Sequence, residues 1–465
     1  MKRSMTAVLA SCVLSGCATF SDDGGFAVVE QLSRERIGQA PTLQRTAEQG
    51  ASARSRVADV LKQPLSAASA VEIALLNNRD LQANLAQLGI AEANLVRAGR
   101  LANPTLRFGR LSGSGAVEID RAVLFDVLGL IAMPAAIDAQ RRSFEQAQLQ
   151  AALEAVGVAG AARKAFFDAV ATRQLLGYRG QVKDAADASN ELARRMVAAG
   201  NFSKLAQMRE QSFYSDATIE LARAQHRAAA ARERLVRVLA LDGELPAFEL
   251  PERLPELPAA PLQPANAEQT AMDQRLDVLI SRRQTEATAQ ALGLTRATRF
   301  INVLHAGYQN QSSTGAPRSN GFEVELTLPL FDFGTTHIAR AEAVYLQAVH
   351  RTAQIAVNAR SEVRESYSAY RTAYDLARHQ RDEVVPLRKR ISEENLLRYN
   401  GMLASVFDLL ADSREQIASV TTAVESLRDF WVADTELQAA LTARSPGAAP
   451  DSNPGKSAAA PTAAH

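Results

Sequence analysis

Phe322-Glu323-Val324-Glu325-Leu326-Thr327-Leu328-Pro329-Leu330 alternates without a break. Phe322, Val324, Leu326, Leu328 and Leu330 share one face of an extended chain, while Glu323, Glu325 and Thr327 share the other. The length suits a tilted transmembrane β-strand of roughly 9–11 residues, with lipid on one side and water on the other. A half-buried strand of a soluble sheet has the same pattern, so the flanking sequence has to decide. Upstream, Phe300 to Gln309 reads as a second β segment. A turn rich in Ser312, Ser313, Thr314, Gly315, Pro317, Asn320 and Gly321 separates the two. Downstream come Phe331-Asp332-Phe333-Gly334 and then a helical pattern from Thr335 to Tyr399, with only Pro386 inside.

The same series occurs earlier in the chain. Ala70 to Leu75, Asn78-Arg79-Asp80-Leu81 and a helix to about Arg100 precede Thr105 to Arg110 and the turn Ser112-Gly113-Ser114-Gly115. A return segment, Ala116 to Leu130, contains Leu124-Phe125-Asp126-Val127-Leu128-Gly129. A helical pattern without Pro then runs from Ala135 to Ala198. The second copy begins near Asn266 with Ala271 to Val278 and a helix to about Arg296, and Arg275 matches Arg79. At 1.5 Å per residue each long helix would reach roughly 90–100 Å, far beyond the globular mean of ~11 residues. Each ends at a glycine turn, Ala199-Gly200-Asn201-Phe202 and Asn400-Gly401-Met402. Gly and Asn are the residues that accept a left-handed cap. Return helices follow over Ser203 to Leu241 and Ser405 to Leu441, the last with a seam of Ile417, Val420, Val424, Leu427 and Trp431.

The domain reading is therefore a repeat over 64–245, a Pro-rich linker over 246–265, a second repeat over 266–443 and a disordered tail over 444–465. Ahead of them, residues 1–16 have the shape of a signal peptide: Lys2 and Arg3, a short apolar stretch, then Leu14-Ser15-Gly16-Cys17. Residues 17–63 read as a polar tether with some helix near Ala47 to Leu61. Leu-Ser-Gly-Cys looks like a lipobox, which makes Cys17 the lipidated first residue; an ordinary signal peptide with an incidental Cys is the plainer alternative. Loss of Lys2 and Arg3 turns a balance of 52 Lys+Arg against 51 Asp+Glu from +1 to −1.

That balance gives no basic footprint for nucleic acid. Hydrophobic residues at 47% argue against disorder over most of the chain, and 5% aromatics favour close helix packing over a thick aromatic core. The best candidate for a membrane helix, Ala122 to Ile137, is broken by Asp126 and Pro134, so any bilayer crossing must use a β-barrel. His226, His305, His337, His350, His379 and His465 form no His-x-x-x-His or Cys/His cluster, and there is no phosphate loop. No enzyme, cofactor or metal site is expected.

Helix, hairpin, long helix, glycine turn and return helix, duplicated behind a lipobox, resemble the TolC-like outer-membrane efflux proteins. The resemblance covers about residues 64–443. Its phrases are Arg79-Asp80-Leu81, Arg275-Leu276-Asp277, Leu326 to Gly334, and Tyr399-Asn400-Gly401 with Ser405 to Leu410. Four strands cannot close a barrel, so the membrane part must be shared between chains. The resemblance implies a mainly α fold with membrane β: a homotrimer with a shared 12-stranded barrel and a long periplasmic helical tunnel. It implies an outer-membrane duct that passively conducts what an inner-membrane pump exports through a periplasmic adaptor. Gly200, Asn201, Asn400 and Gly401 would be the adaptor-contact tips. By motif position Asp408 would line a periplasmic gate, with Asp412 displaced by one from the second family position. A solvated helix face, with Asp412 paired to Arg414 or to water, is the plain alternative. The rival functions are a periplasmic adaptor or scaffold lipoprotein, and the duct of a type I secretion system.

Overall fold

The computed structural model describes residues 19–113, 115–241, 248–297, 304–327, 331 and 333–444. The lipidation candidate Cys17, the strand residues Leu328 to Leu330 and the C-terminal tail from Ser445 on lie outside them. Before the first hairpin come α1 (Phe26–Ile37), α2 (Ala47–Val60), α3 (Ala67–Asn77) and α4 (Arg79–Ala98). The hairpin is β1 (Thr105–Gly113) and β2 (Ala116–Asp126); α5 (Val127–Ala198) and α6 (Lys204–Leu239) follow. The second copy supplies α7 (Ala267–Gln274), α8 (Leu276–Ala297), β3 (Leu304–Ser313), β4 (Ser319–Leu326), α9 (Thr335–His379), α10 (Val385–Asn400) and α11 (Val406–Thr442).

The two sequence repeats are not the two compact units of the fold. One unit holds the described parts of Met1–Leu32, Ala83–Ala152 and Leu276–Val357; the other holds Ser33–Gln82, Leu153–Arg275 and the described part of Asn358–His465. Each unit thus draws on both copies, as expected when one copy cannot bury its own apolar surface.

In the first unit the four strands form one antiparallel sheet in the order β1-β2-β3-β4. The ladder between β2 and β3 joins the repeats, from Glu118 opposite Ser313 to Asp126 opposite His305. Gly307 is required in it: a Cβ there would stand 1.9 Å from the Val123 carbonyl oxygen. The N-terminal segment packs on this unit. Ser21 donates from its N–H (2.6 Å) and hydroxyl (2.5 Å) to Glu92, and Gln148 donates to the Gly25 carbonyl (2.9 Å). The expected polar tether is largely helical over its described residues; Val29, in this unit, and Val57, in the other, are fully buried.

In the second unit, each repeat starts with a helix broken at one extended residue. The breaks fall at Asn78 (φ −66°, ψ 117°) and Arg275 (φ −69°, ψ 123°). Asn78, not Arg79, is the structural counterpart of Arg275, so the expected match between the copies shifts by one residue. Both breaks serve the end of a return helix, whose last carbonyls have no partner of their own. Asn77 donates to the carbonyls of Leu239 (3.2 Å) and Ala240 (2.5 Å) at the end of α6. Arg275, 1% exposed, donates to the carbonyls of Ala440 (3.3 Å) in α11 and Ala359 (3.4 Å) in α9 and pairs with Glu362.

The Pro-rich linker is a clamped strap where it is described. Trp431 Nε1 donates to the Pro255 carbonyl (3.0 Å), and the Tyr374 hydroxyl donates toward those of Pro258 (3.1 Å) and Ala259 (3.0 Å). The Leu262 N–H donates to the Tyr370 hydroxyl (2.8 Å), and Arg232 donates to the Phe248 carbonyl (3.2 Å). Tyr370, Tyr374, Phe430 and Leu437 form a core under it with Leu257. The long helix expected from Thr335 to Tyr399 is interrupted by a π-helical turn, Gln380–Val384, just before Pro386. Pro cannot donate to the carbonyl four residues back and clashes with it; the wider turn relieves both.

Removing the guanidinium of Arg275 strands a half-buried Glu362 and two carbonyls. Arg275→Ala should cost about 3–5 kcal/mol of stability. Arg275→Lys should recover only part, because one ammonium cannot span three acceptors. Denaturant titration of the purified variants measures both.

Candidate functional site

Register assigns every strand residue to a face. On one face Leu106, Val123, Tyr308 and Phe322 stand side by side across all four strands, followed by Phe125, Ala306 and Val324, then Leu304 and Leu326. Phe322 is 86% exposed; the apolar face is bare in the single chain. The opposite face carries Arg107, Glu118, Asp120, Asp126, His305, Gln309, Gln311, Glu323 and Glu325. Arg107 pairs with Glu323 and reaches Glu325 (3.7 Å), which also meets His305 Nδ1 (3.3 Å). Gln311 donates to Glu118. Five carboxylates against one Arg and one His make this face acidic. The alternation in β4 is plain in the sequence. That Arg107, from the other repeat, crosses the sheet to neutralise part of it is not.

At the far end of α5, Gly200 takes the left-handed conformation (φ 77°). The N–H of Asn201 donates to the Met196 carbonyl (2.9 Å) and that of Gly200 to Val197 (3.0 Å), a Schellman closure. The second tip differs from expectation. Gly401 has φ −81° and the left-handed residue is Met402, φ 58°. The closing bonds move with it: Leu403 N–H to the Arg398 carbonyl (2.8 Å) and Met402 N–H to Tyr399 (3.0 Å). The α10 helix runs one residue longer than the glycine suggests. Met402 is 94% exposed, and Leu403, Leu205 and Met208 are also exposed. Phe202 stacks on Phe407 at 4.1 Å between ring centroids, so the two tips touch. An aromatic residue soon after each glycine turn is the signal for this contact in the sequence.

The structure separates the two candidate gate carboxylates. Asp408 is exposed and committed to a capping box: its Oδ2 accepts from the Ser405 hydroxyl (2.7 Å) and N–H (2.9 Å), and Ser405 Oγ accepts from the Asp408 N–H (3.1 Å). The Ser405 hydroxyl, then its N–H, hold the Asp408 carboxyl below its usual range. Asp412 is 9% exposed, and its Oδ2 has no hydrogen-bond partner. The expected partner Arg414 is engaged elsewhere, donating to the buried Glu210 (2.5 Å) with its guanidinium 3.5 Å over the Phe213 ring. Glu210 also accepts from Ser189 (2.5 Å), so this cluster ties α11 to α5 and α6. Among the described residues no group of three His, Cys, Asp or Glu could hold a metal ion, and no helix is long and apolar enough to cross a membrane.

No family model matches the chain, and no curated protein matches it. Solved structures do. A membrane protein from Pseudomonas aeruginosa superposes with a TM-score of 0.68 at 19% identity, over 81% of this chain and 93% of that one. CusC, studied for its transmembrane channel formation, gives 0.69 at 17%, over 81% and 92%. The open MtrE outer-membrane channel of Neisseria gonorrhoeae gives 0.61 at 14%, over 84% and 89%. The chain has the TolC-like fold. It combines long helices with a small four-stranded β element, as the repeated pattern predicts, and its structural relatives are channels, not enzymes.

Two outcomes at the tips follow. Met402→Gly should stabilise the tip by about 1 kcal/mol, because a non-glycine residue in the left-handed region is strained, whereas Gly401→Ala should be neutral, its Cβ meeting nothing closer than 3.5 Å. Amide exchange at Leu403 distinguishes the two. For Asp408, a lowered folded pKa means the cap is fully present above the ordinary carboxylate value of 3.8 and is lost as pH falls through the lower folded value. Exchange at residues 405–409 should accelerate over that window, and Asp408→Asn should abolish the pH dependence.

Proposed function

We propose that the protein is the outer-membrane exit duct of a tripartite efflux system. The observation that carries this reading is the sheet: one exposed apolar face, one acidic face and two open edges in a single chain. Lipid does not tolerate open edges, so β4 of one copy pairs with β1 of the next, and three copies close a 12-stranded barrel. The apolar face then meets lipid and the acidic face lines water, which favours cations over anions in the exit. Transport is passive; an inner-membrane pump supplies the energy. Cys17 is the lipidated residue that adds a second hold on the outer membrane.

A periplasmic adaptor engages the helix tips at Gly200, Asn201, Asn400 and Gly401. The exposed Met402, Leu403, Leu205 and Met208 around them support this, since apolar side chains on a tip have no packing role in the single chain. Asp408, three times around the axis, forms the acidic gate ring. Asp412 joins the ring only when its helix turns, because it is buried here. The two hairpins weigh against a periplasmic adaptor or scaffold lipoprotein, which needs no strands of membrane length. The duct of a type I secretion system shares every feature above, and partner identification separates the two.

Conductance of the purified protein in planar bilayers, with cross-linking to count chains, tests the reading. Trimer-sized, cation-selective steps are expected, and Asp408→Ala/Asp412→Ala should raise the cation leak through the trimers by loosening the closed gate. A monomeric protein, silent in both wild-type and double-variant form, would refute the duct.

A further inference from the structure

Val127-Leu128-Gly129-Leu130-Ile131-Ala132-Met133 is an unbroken apolar run. The sequence pattern assigns its start to the return arm of the first hairpin. It is instead the first two turns of α5, started by Asp126, whose Oδ1 accepts from the Gly129 N–H (2.8 Å). At helical spacing Val127, Leu130, Ile131 and Pro134 fall on one face. Leu130 is 54% and Ile131 68% exposed. Continued by one turn, the same face carries Asp138, then Arg141, Arg142 and Glu145. These charges are held together: Arg142 (3.4 Å) and Arg283 (3.0 Å) both pair with Glu286, and Arg283 also nears Glu145 (3.9 Å). Asp138, Arg141, Arg142, Glu145 and Arg283 line a cleft of about 300 Å³. One helix face thus changes from bare apolar to charged within a turn.

The sheet gives this run its occupant. Toward the hairpin turns the apolar face becomes mixed: Arg121 lies opposite Phe108 on one side and Asn310 on the other, and Asn310 opposite Asn320. Its fully apolar rows run only from Tyr308 to Leu304 along β3. At 3.3 Å per residue that is about 13 Å, and less once the strand tilts. Membrane barrels present an apolar band of roughly 25 Å. The strands described supply about half of it. On β4 the sequence continues the alternation at Leu328 and Leu330. On the other side of the sheet β2 has ended at Asp126, and the apolar chain that continues it is the start of α5.

We propose that the first two turns of α5 insert into the periplasmic leaflet of the outer membrane and complete the apolar band that the strands leave short. Val127, Leu130 and Ile131 contact acyl chains. Arg141 lies ten positions beyond Ile131, about 15 Å of helix, which puts Arg141 and Arg142 just on the water side of the phosphates, where long basic side chains reach back to the head groups. The proposal rests on the membrane reading of the sheet, and its test keeps the two apart.

Nitroxide labels on single-cysteine variants of the full-length protein in phospholipid vesicles read the surroundings directly. Phe322→Cys is the lipid reference and Leu205→Cys the aqueous one. Ile131→Cys should collide with oxygen more than with a water-soluble nickel chelate, as at Phe322, at a depth of roughly 5–10 Å. Asp138→Cys should show the reverse. A chelate-dominated label at Ile131, or one shielded from both reagents by a neighbouring copy, overturns the insertion while Phe322 still reports lipid. An aqueous Phe322 label overturns the membrane reading and the insertion with it. Ile131→Trp on a Trp431→Phe background, quenched by acyl-brominated lipid, checks the result without labelling; no quenching there also refutes it.

Discussion

A β-strand inside a sheet must pair its backbone N–H and C=O groups on both sides, and this constraint shapes the sheet. Neither hairpin could meet it alone. The ladder between β2 and β3 joins two strands nearly two hundred residues apart in sequence and makes one four-stranded sheet of two hairpins. Gly307 shows how tight that joint is, because no side chain fits against the Val123 backbone. The ladder also brings Arg107 of the first copy within reach of Glu323 and Glu325 of the second. Charge balance on the polar face is therefore a product of the fusion of the copies, not a property of either.

The helical unit faces the complementary problem. Helix ends leave carbonyls without partners, and a long helix that stops inside a protein must have them satisfied. Both repeats solve this in the same place with different chemistry. A neutral amide, Asn77, covers the end of α6, whereas Arg275 covers the end of α11 and takes Glu362 as its counter-ion. The strap at 248–262 works on the same principle. Its prolines give up donors, and its carbonyls then accept from Arg232, Tyr374 and Trp431 on three different helices. A segment that reads as a spacer thereby fixes the helices it passes.

Architecture is legible in this sequence because its signals are periodic. Alternation in β4, long helical patterns and glycine turns each repeat, and the duplication lets one copy check the other. Single-residue register is not legible. The left-handed residue at the second tip is Met402 because α10 runs one residue further than Gly401 suggests, and no periodicity encodes that. The start of α5 at Val127 is hidden by Pro134, which reads as a breaker but sits here beyond the first turn of an unbroken helix. The capping role of Asp408 is written in the sequence as Ser405-x-x-Asp408; the burial of Asp412 is not, since it depends on which helices pack around it.

The duplication is also unequal in stability, and the inequality has a direction. The first helical hairpin closes on a glycine at its left-handed position, and Val182, Ala186 and Ala217 pack between its helices. The second closes on Met402, carries a π-helical turn before Pro386, leaves Asp412 Oδ2 without a partner and has no buried residue anywhere in α10. Each is a local cost or a missing contact, and together they place the low-stability end of the helical unit in the second hairpin. Before the π-helical turn, Tyr370 and Tyr374 lock α9 to the strap and to Phe430. After it, α10 meets α11 through half-exposed side chains and the Arg388–Glu415 pair. Solvent-screened pairs of that kind hold little. What ties the tip-side part of the second hairpin to the first is then mainly the Arg414–Glu210 pair and the Phe202–Phe407 stack.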